Sequence, residues 1–235
     1  MSATLPESIA EKIIEDKIQE WEAKKTGRAR TAMAIGAFPF IAISRDYGCL
    51  EEKLIPLFEK TFQWKVYGRN LLDHIASRDA LSRSFIETLD EHHANQLDQW
   101  IHYLISSGAL RSDEYMVKLS KLMKVIVTHE SAIFIGRGAH YILADKPHGV
   151  FVKLTAPFTY RAAHIARLKN LSQSEAESQV RCIDRERQEF IHHHFKQDIE
   201  DASHFDLSLN TQTIPAEKVC QLVARVLEIK TSAVL

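Results

Sequence analysis

The chain has 235 residues, 45% of them apolar and 26% charged, a balance that suits one globular domain and excludes a disordered or fibrous chain. Its formal net charge of −1 gives no global field to gather nucleic acid or anionic lipid, so any anion site must be local. Three scattered cysteines, Cys49, Cys182 and Cys220, offer neither a disulfide framework nor metal-ligand spacing, which points to a reducing, cytoplasmic setting.

Residues Glu7 to Lys25 carry Ile9, Ile13, Ile14, Ile18 and Trp21 at helical spacing among charged neighbours, and predict an amphipathic arm. The start is charged throughout and lacks the apolar run of a secretory signal. Between Lys25 and Phe38 small and basic residues with two glycines predict a linker, so that residues 1–38 form an arm and 39–235 the main domain. An isolated helix of this length is marginal in water, and the arm is expected to pack on a partner surface, as in a homo-oligomer. The most apolar stretch, Ala32 to Ile43, is too short to span a bilayer and holds Gly36 and Pro39, so no membrane role is expected.

From Phe40 the pattern becomes short apolar runs separated by helical ones. The runs Phe40 to Ser44, Trp64 to Tyr67, Ala132 to Gly136, Val150 to Leu154 and Phe205 to Leu209 are continuous rather than alternating, as strands buried on both faces require. Helices are predicted over Glu51 to Thr61, Asn70 to Ser77, a long insert from about Leu81 to Glu130, Ala139 to Ala144, Thr159 to Leu168, Ser172 to Phe195 and Ala216 to Ile229. Ser172 with Glu175 three residues on reads as a capping box, and Pro215 opens the last helix where its missing N–H costs nothing. The result is an α/β fold with a parallel sheet.

Three motifs carry chemistry. The first strand, FIAIS, runs into RDYGCLEEKL, the strand, turn and helix start of a phosphate-cradling loop, although only Gly48 remains of the glycines such a loop uses. IFIGRGAHYIL places Arg137 at the carboxyl end of a strand, where α/β sheets bind ligands; the two glycines also suit a plain tight turn. Arg161, Arg167, Arg181, Arg185 and Arg187 concentrate guanidinium groups on two neighbouring helices, with Asp184 on the same face as Arg187. Salt bridges with Glu177, Glu186 and Glu189 are the plainer account of part of that cluster. His192, His193 and His194 point to different faces of a helix and cannot converge on a metal. Cys49 stands beside a helix start that would lower a thiol pKa, opposed by Glu51 and Glu52.

The order of Gly48, Gly136-Arg137-Gly138, Thr155-Ala156-Pro157 before Arg161, Asp184 to Arg187 and then FDLSLNT resembles the bacterial cytidylate-kinase-like family, over about Phe40 to Ile229. That resemblance implies a three-layer P-loop kinase fold with a five-stranded parallel sheet in the order 2-3-1-4-5, a nucleotide-binding helical insert over about 68–130 and a lid over about 158–200. It implies transfer of a phosphoryl group from ATP, with Mg²⁺, to a nucleoside monophosphate, CMP or dCMP. Arg45, Gly48 and Cys49 would line the donor loop, and Arg69, Arg137 and Arg167 would hold the substrate. Arg161, Arg181, Arg185 and Arg187 would close over the transferred group, with Asp184 orienting a lid arginine. The chain departs from the family where it reads Gly48-Cys49-Leu50-Glu51-Glu52-Lys53: Leu50 replaces a glycine, and Glu51 stands where a catalytic lysine is expected. Lys53 or Lys153 is a candidate replacement. An impaired or absent activity is therefore expected, the alternative being a non-catalytic nucleotide- or anion-binding regulatory protein on the same fold.

Overall fold

A computed structural model describes residues 7–27, 38–89, 91–108, 110 and 113–232. In chain order the elements are α1 (Glu7–Gly27), β1 (Phe40–Arg45), α2 (Glu51–Phe62), β2 (Lys65–Gly68), α3 (Arg69–Ala76), α4 (Asp79–Glu87), α5 (Glu91–Ser106) and α6 (Glu114–His129). There follow β3 (Ala132–Ile135), α7 (Ala139–Ile142), β4 (Gly149–Thr155), α8 (Phe158–Lys169), α9 (Gln173–Phe195), β5 (Leu207–Asn210) and α10 (Ala216–Ser232). The strands form one parallel sheet in the order β2-β3-β1-β4-β5, as expected. No helix among the described residues is long and apolar enough to cross a membrane.

The chain divides into two compact units, Met1–Pro39 with Tyr67–Ala132, and Phe40–Val66 with Ile133–Leu235. In the second, β1 pairs with β4 from Phe40 opposite Gly149 to Arg45 opposite Leu154. Ile41, Ile43, Val150, Val152 and Leu154 are buried with Leu54 and Phe58 of α2 and Val219 and Val223 of α10, which is why these strands carry unbroken apolar runs. The last strand begins two residues later than the sequence pattern predicts. Asp206 explains the shift: its carboxylate accepts from the Phe151 N–H at 2.8 Å and its own N–H donates to the Phe151 carbonyl, so Phe205 is left to close the 3₁₀ turn Ala202–His204.

In the first unit α1 packs within its own chain. Ile14 and Trp21 are each 1% exposed, with Trp21 stacked on His129 at 4.6 Å and edge-on to Phe85 at 5.3 Å. Glu130 accepts from Lys17 at 2.6 Å, from Tyr67 at 2.7 Å and from the Trp21 indole at 3.4 Å, and Arg78 pairs with Glu11. Ile14 and Trp21 of the arm's apolar stripe are thus covered by the chain itself. The predicted linker lies, over residues 28–37, outside the described residues. The long insert is α4, α5 and α6, the last started by Asp113, whose carboxylate accepts from the Met116 N–H at 2.8 Å.

Candidate functional site

The site grows from the turn between β1 and α2. Gly48, at φ 90°, allows the turn to pass under α8: a Cβ there would lie 3.0 Å from the Arg161 carbonyl oxygen and 3.1 Å from its Cβ. Leu50 then takes a left-handed conformation, φ 60° and ψ 33°, as the residue capping α2, and its carbonyl accepts from the Lys53 and Leu54 N–H groups. The backbone shape that a glycine would give freely is thus retained with a leucine, at a cost of about 1–2 kcal/mol. Leu50 packs its side chain against the core, which offsets that strain.

Two arginines, one from α8 and one from α9, hold this turn. Arg161 of α8 donates from Nε to the Ala156 carbonyl at 2.9 Å, and from Nη1 to the Tyr47 carbonyl at 3.0 Å and to Asp184 Oδ2 at 2.5 Å. The other Asp184 oxygen accepts from the Tyr47 N–H at 2.8 Å, so both faces of that peptide region are clamped. Arg187, one turn further along α9, donates to the Arg45 carbonyl at 2.9 Å and to Glu51 Oε1 at 2.9 Å. Arg45 reaches the second Glu51 oxygen at 3.2 Å from Nε. Burial would push the Glu51 carboxyl up, but Arg45 and Arg187 outweigh it and hold the group below its ordinary range. Glu52 lies 2.9 Å from His164 Nε2 of α8.

Beneath the turn, Lys153 and Thr155 project from the same side of β4. Lys153 contacts Asp46 and Glu200, each at 2.9 Å, and Thr155 donates to the second Asp46 oxygen at 2.6 Å. Burial opposes charge on Lys153, yet the two carboxylates raise its pKa above the ordinary lysine value. Of the two replacement lysines, Lys53 is exposed on α2, whereas Lys153 stands on β4 and anchors the loop through Asp46.

The remaining candidates separate. Cys49 is fully buried, and its thiol is pushed up to about 12 by burial, with Asp46 adding to the rise, so it presents no reactive side chain to a ligand. Arg137 has φ 55° between two glycines and lies with its guanidinium 4.8 Å above the Phe190 ring. A Cβ on Gly136 would lie 2.4 Å from Arg45 Nη1, so this turn also makes room for the loop arginine. Arg181 is exposed, 3.8 Å from Glu177 and 4.2 Å above Phe158, and Arg167 is exposed with a single long contact to the Ala163 carbonyl. Arg185 is exposed and lines a cleft of about 760 Å³ with Gln188, Glu189, His192 and Lys196. Arg69 belongs to the first unit, where it opens α3, is 61% exposed and pairs with Asp73 at 3.6 Å.

The structure therefore brings Arg45, Gly48, Arg161, Asp184 and Arg187 together, and leaves Arg167, Arg181 and Arg185 on outward faces. Sequence reasoning missed the Tyr47 backbone clamp and the hub role of Glu51. The signal for the hub was present in the two arginines that the fold returns to the loop, Arg45 at the strand end and Arg187 in the Asp184 to Arg187 motif of α9.

A parallel sheet in this order, with a glycine-containing turn at the carboxyl end of its central strand and the arginines of α8 and α9 over it, defines an α/β protein with a kinase-like fold. The chain belongs to the cytidylate kinase-like family, whose model matches residues 40–213. Among solved structures it is similar to an uncharacterized protein from Eubacterium ventriosum, with a TM-score of 0.60 and 15% identity over 81% of this chain and 98% of that one, a likeness of fold. No protein of curated function matches the sequence.

Proposed function

We propose that the chain is a nucleotide phosphotransferase that moves the γ-phosphoryl group of ATP to a nucleoside monophosphate, CMP or dCMP by its family. The observation that carries this reading is the convergence of the Arg45 and Arg187 guanidinium groups on the turn that starts α2. Phosphoryl transfer depends mostly on positioning and on spreading negative charge, and two guanidinium forks at a helix start supply both. Arg161 and Asp184 are positioning residues, since they fix the backbone at Tyr47. Arg137 is assigned to the acceptor phosphate and Arg167 to its surroundings, with Arg181 and Arg185 at the rim of the lid. Three free cysteines suit a cytoplasmic setting.

The oxygen donors beside the turn, Asp46 and Thr155, are of the type Mg²⁺ takes, and Asp46 is already shared with Lys153. Mg²⁺ fits as an ion carried in on the triphosphate, where it would spread the charge of the transferred group. The test is a coupled assay of the purified chain with ATP, Mg²⁺ and CMP, dCMP, UMP and AMP. The reading predicts transfer to a pyrimidine monophosphate at well below the roughly 1–100 per second usual for kinases. ATP binding with no transfer to any of the four would favour the regulatory alternative, which the occupied arginines also suit.

A further inference from the structure

Arg45 and Arg187 come from different elements, the end of β1 and the middle of α9, and they meet on one carboxylate at the first position of α2. The carboxylate uses both oxygens, one per guanidinium, and Arg187 closes the figure by donating to the Arg45 carbonyl. A planar anion bridging two guanidinium forks at a helix start is the arrangement in which such groups receive a phosphoryl oxygen pair. Glu51 has no other charged partner to neutralise among the described residues, and its neighbour Glu52 turns instead to His164.

We propose that Glu51 is an internal stand-in for the donor phosphate, so that the donor binds by exchanging with the Glu51 side chain between Arg45 and Arg187. The exchange makes the site selective by charge. A singly charged anion brings no more charge than Glu51 and has no advantage over a carboxylate already tethered at high effective concentration. A chain phosphate brings two or more charges and further oxygens for the N–H groups after Gly48, so it displaces Glu51 where chloride or formate cannot. The lid then stays latched by either anion: Arg187 holds α9 to the loop through Glu51 in the empty state and through phosphate in the loaded one.

This inference rests on the phosphotransferase reading only for the ligand class, and inorganic tripolyphosphate tests it with no acceptor and no turnover. Titration of the full chain by calorimetry, at about 0.15 M salt to keep screening constant, compares wild type with Glu51→Gln, Glu51→Asp and the pair Glu51→Gln with Arg187→Ala. Removing the tethered charge is expected to tighten tripolyphosphate binding at least tenfold in Glu51→Gln, with formate remaining without effect on the wild type. Adding Arg187→Ala should abolish that gain. Glu51→Asp, which keeps the charge but shortens its reach, should fall between, and it carries the test if the glutamine variant does not fold. Equal or weaker binding by the glutamine variant, or by the aspartate variant in its place, overturns the exchange, as does a gain that survives Arg187→Ala. Failure of the kinase reading would appear separately, as absent transfer in the coupled assay with the titration gain intact.

Discussion

Glu51 is held by two guanidinium groups that its removal would leave facing each other across a partly buried gap. Breaking a fully buried ion pair from one side costs about 3–5 kcal/mol, and with the Glu51 side chain 24% exposed a value of about 2–4 kcal/mol is expected for Glu51→Ala. The pH dependence follows from the same contacts. Burial raises the Glu51 pKa, Arg45 and Arg187 together lower it by more, and the net value lies below the ordinary 4.5. A carboxyl depressed in the folded state contributes stability that is fully present above its unfolded pKa and is lost as pH falls through the folded one. Melting curves of wild type and Glu51→Gln should therefore differ most above pH 4.5 and converge as the pH falls below it; a constant gap would exclude this contribution. The loop is also where residue-level reading of the sequence fell short. Leu50 and Glu51 looked like plain damage to an anion site, because sequence spacing identifies a missing glycine and a reversed charge but not which distant side chains answer them. Leu50 takes the left-handed shape regardless, and Glu51 is neutralised by Arg45 and Arg187 instead of facing solvent or ligand as a bare charge.

At the scale of elements, α1 and α9 show what periodicity can and cannot give. The apolar spacing of α1 was legible from Ile14 to Trp21, but spacing names a face and not its partner, and the partner is the chain's own His129, Phe85 and Glu130. Trp21→Ala should accordingly destabilise the protein by about 3–5 kcal/mol, read as a fall in melting midpoint, with an unchanged sedimentation coefficient; dissociation of an oligomer instead would return the arm to an intermolecular role. For α9 the start was legible to the residue. Ser172 Oγ accepts from the Glu175 N–H at 3.3 Å and the Glu175 carboxylate accepts from the Ser172 N–H at 2.9 Å, the reciprocal pair that the local sequence encodes. Which arginines of α9 meet the loop was not legible. The helical period separates Arg187 from Arg185 but places Arg181 and Arg187 at equal spacing on either flank of Asp184, so which of them turns inward depends on the docking of α8 and the sheet.

For the whole molecule, the five parallel strands follow from continuous apolar runs separated by long helical crossovers, whereas the order β2-β3-β1-β4-β5 was legible only through the resemblance to the family; β1, β3 and β4 are the buried strands, and β2 and β5 are partly exposed. The family assignment rests on those same stretches, residues 40–213, and brings with it the expectation of phosphoryl transfer at the carboxyl end of the sheet. There Arg161 and Asp184 hold the backbone, Lys153 anchors it from below, and Arg45 and Arg187 meet on the Glu51 carboxylate. The most direct test of that account is the dissociation constant of ATP with Mg²⁺ for wild type and for Arg187→Ala, measured by titration calorimetry at fixed salt. Loss of one charge-assisted hydrogen bond of about 1.5–3 kcal/mol predicts binding weakened by roughly 10- to 150-fold, whereas equal affinities for the two proteins would contradict it and remove Arg187 from the donor site.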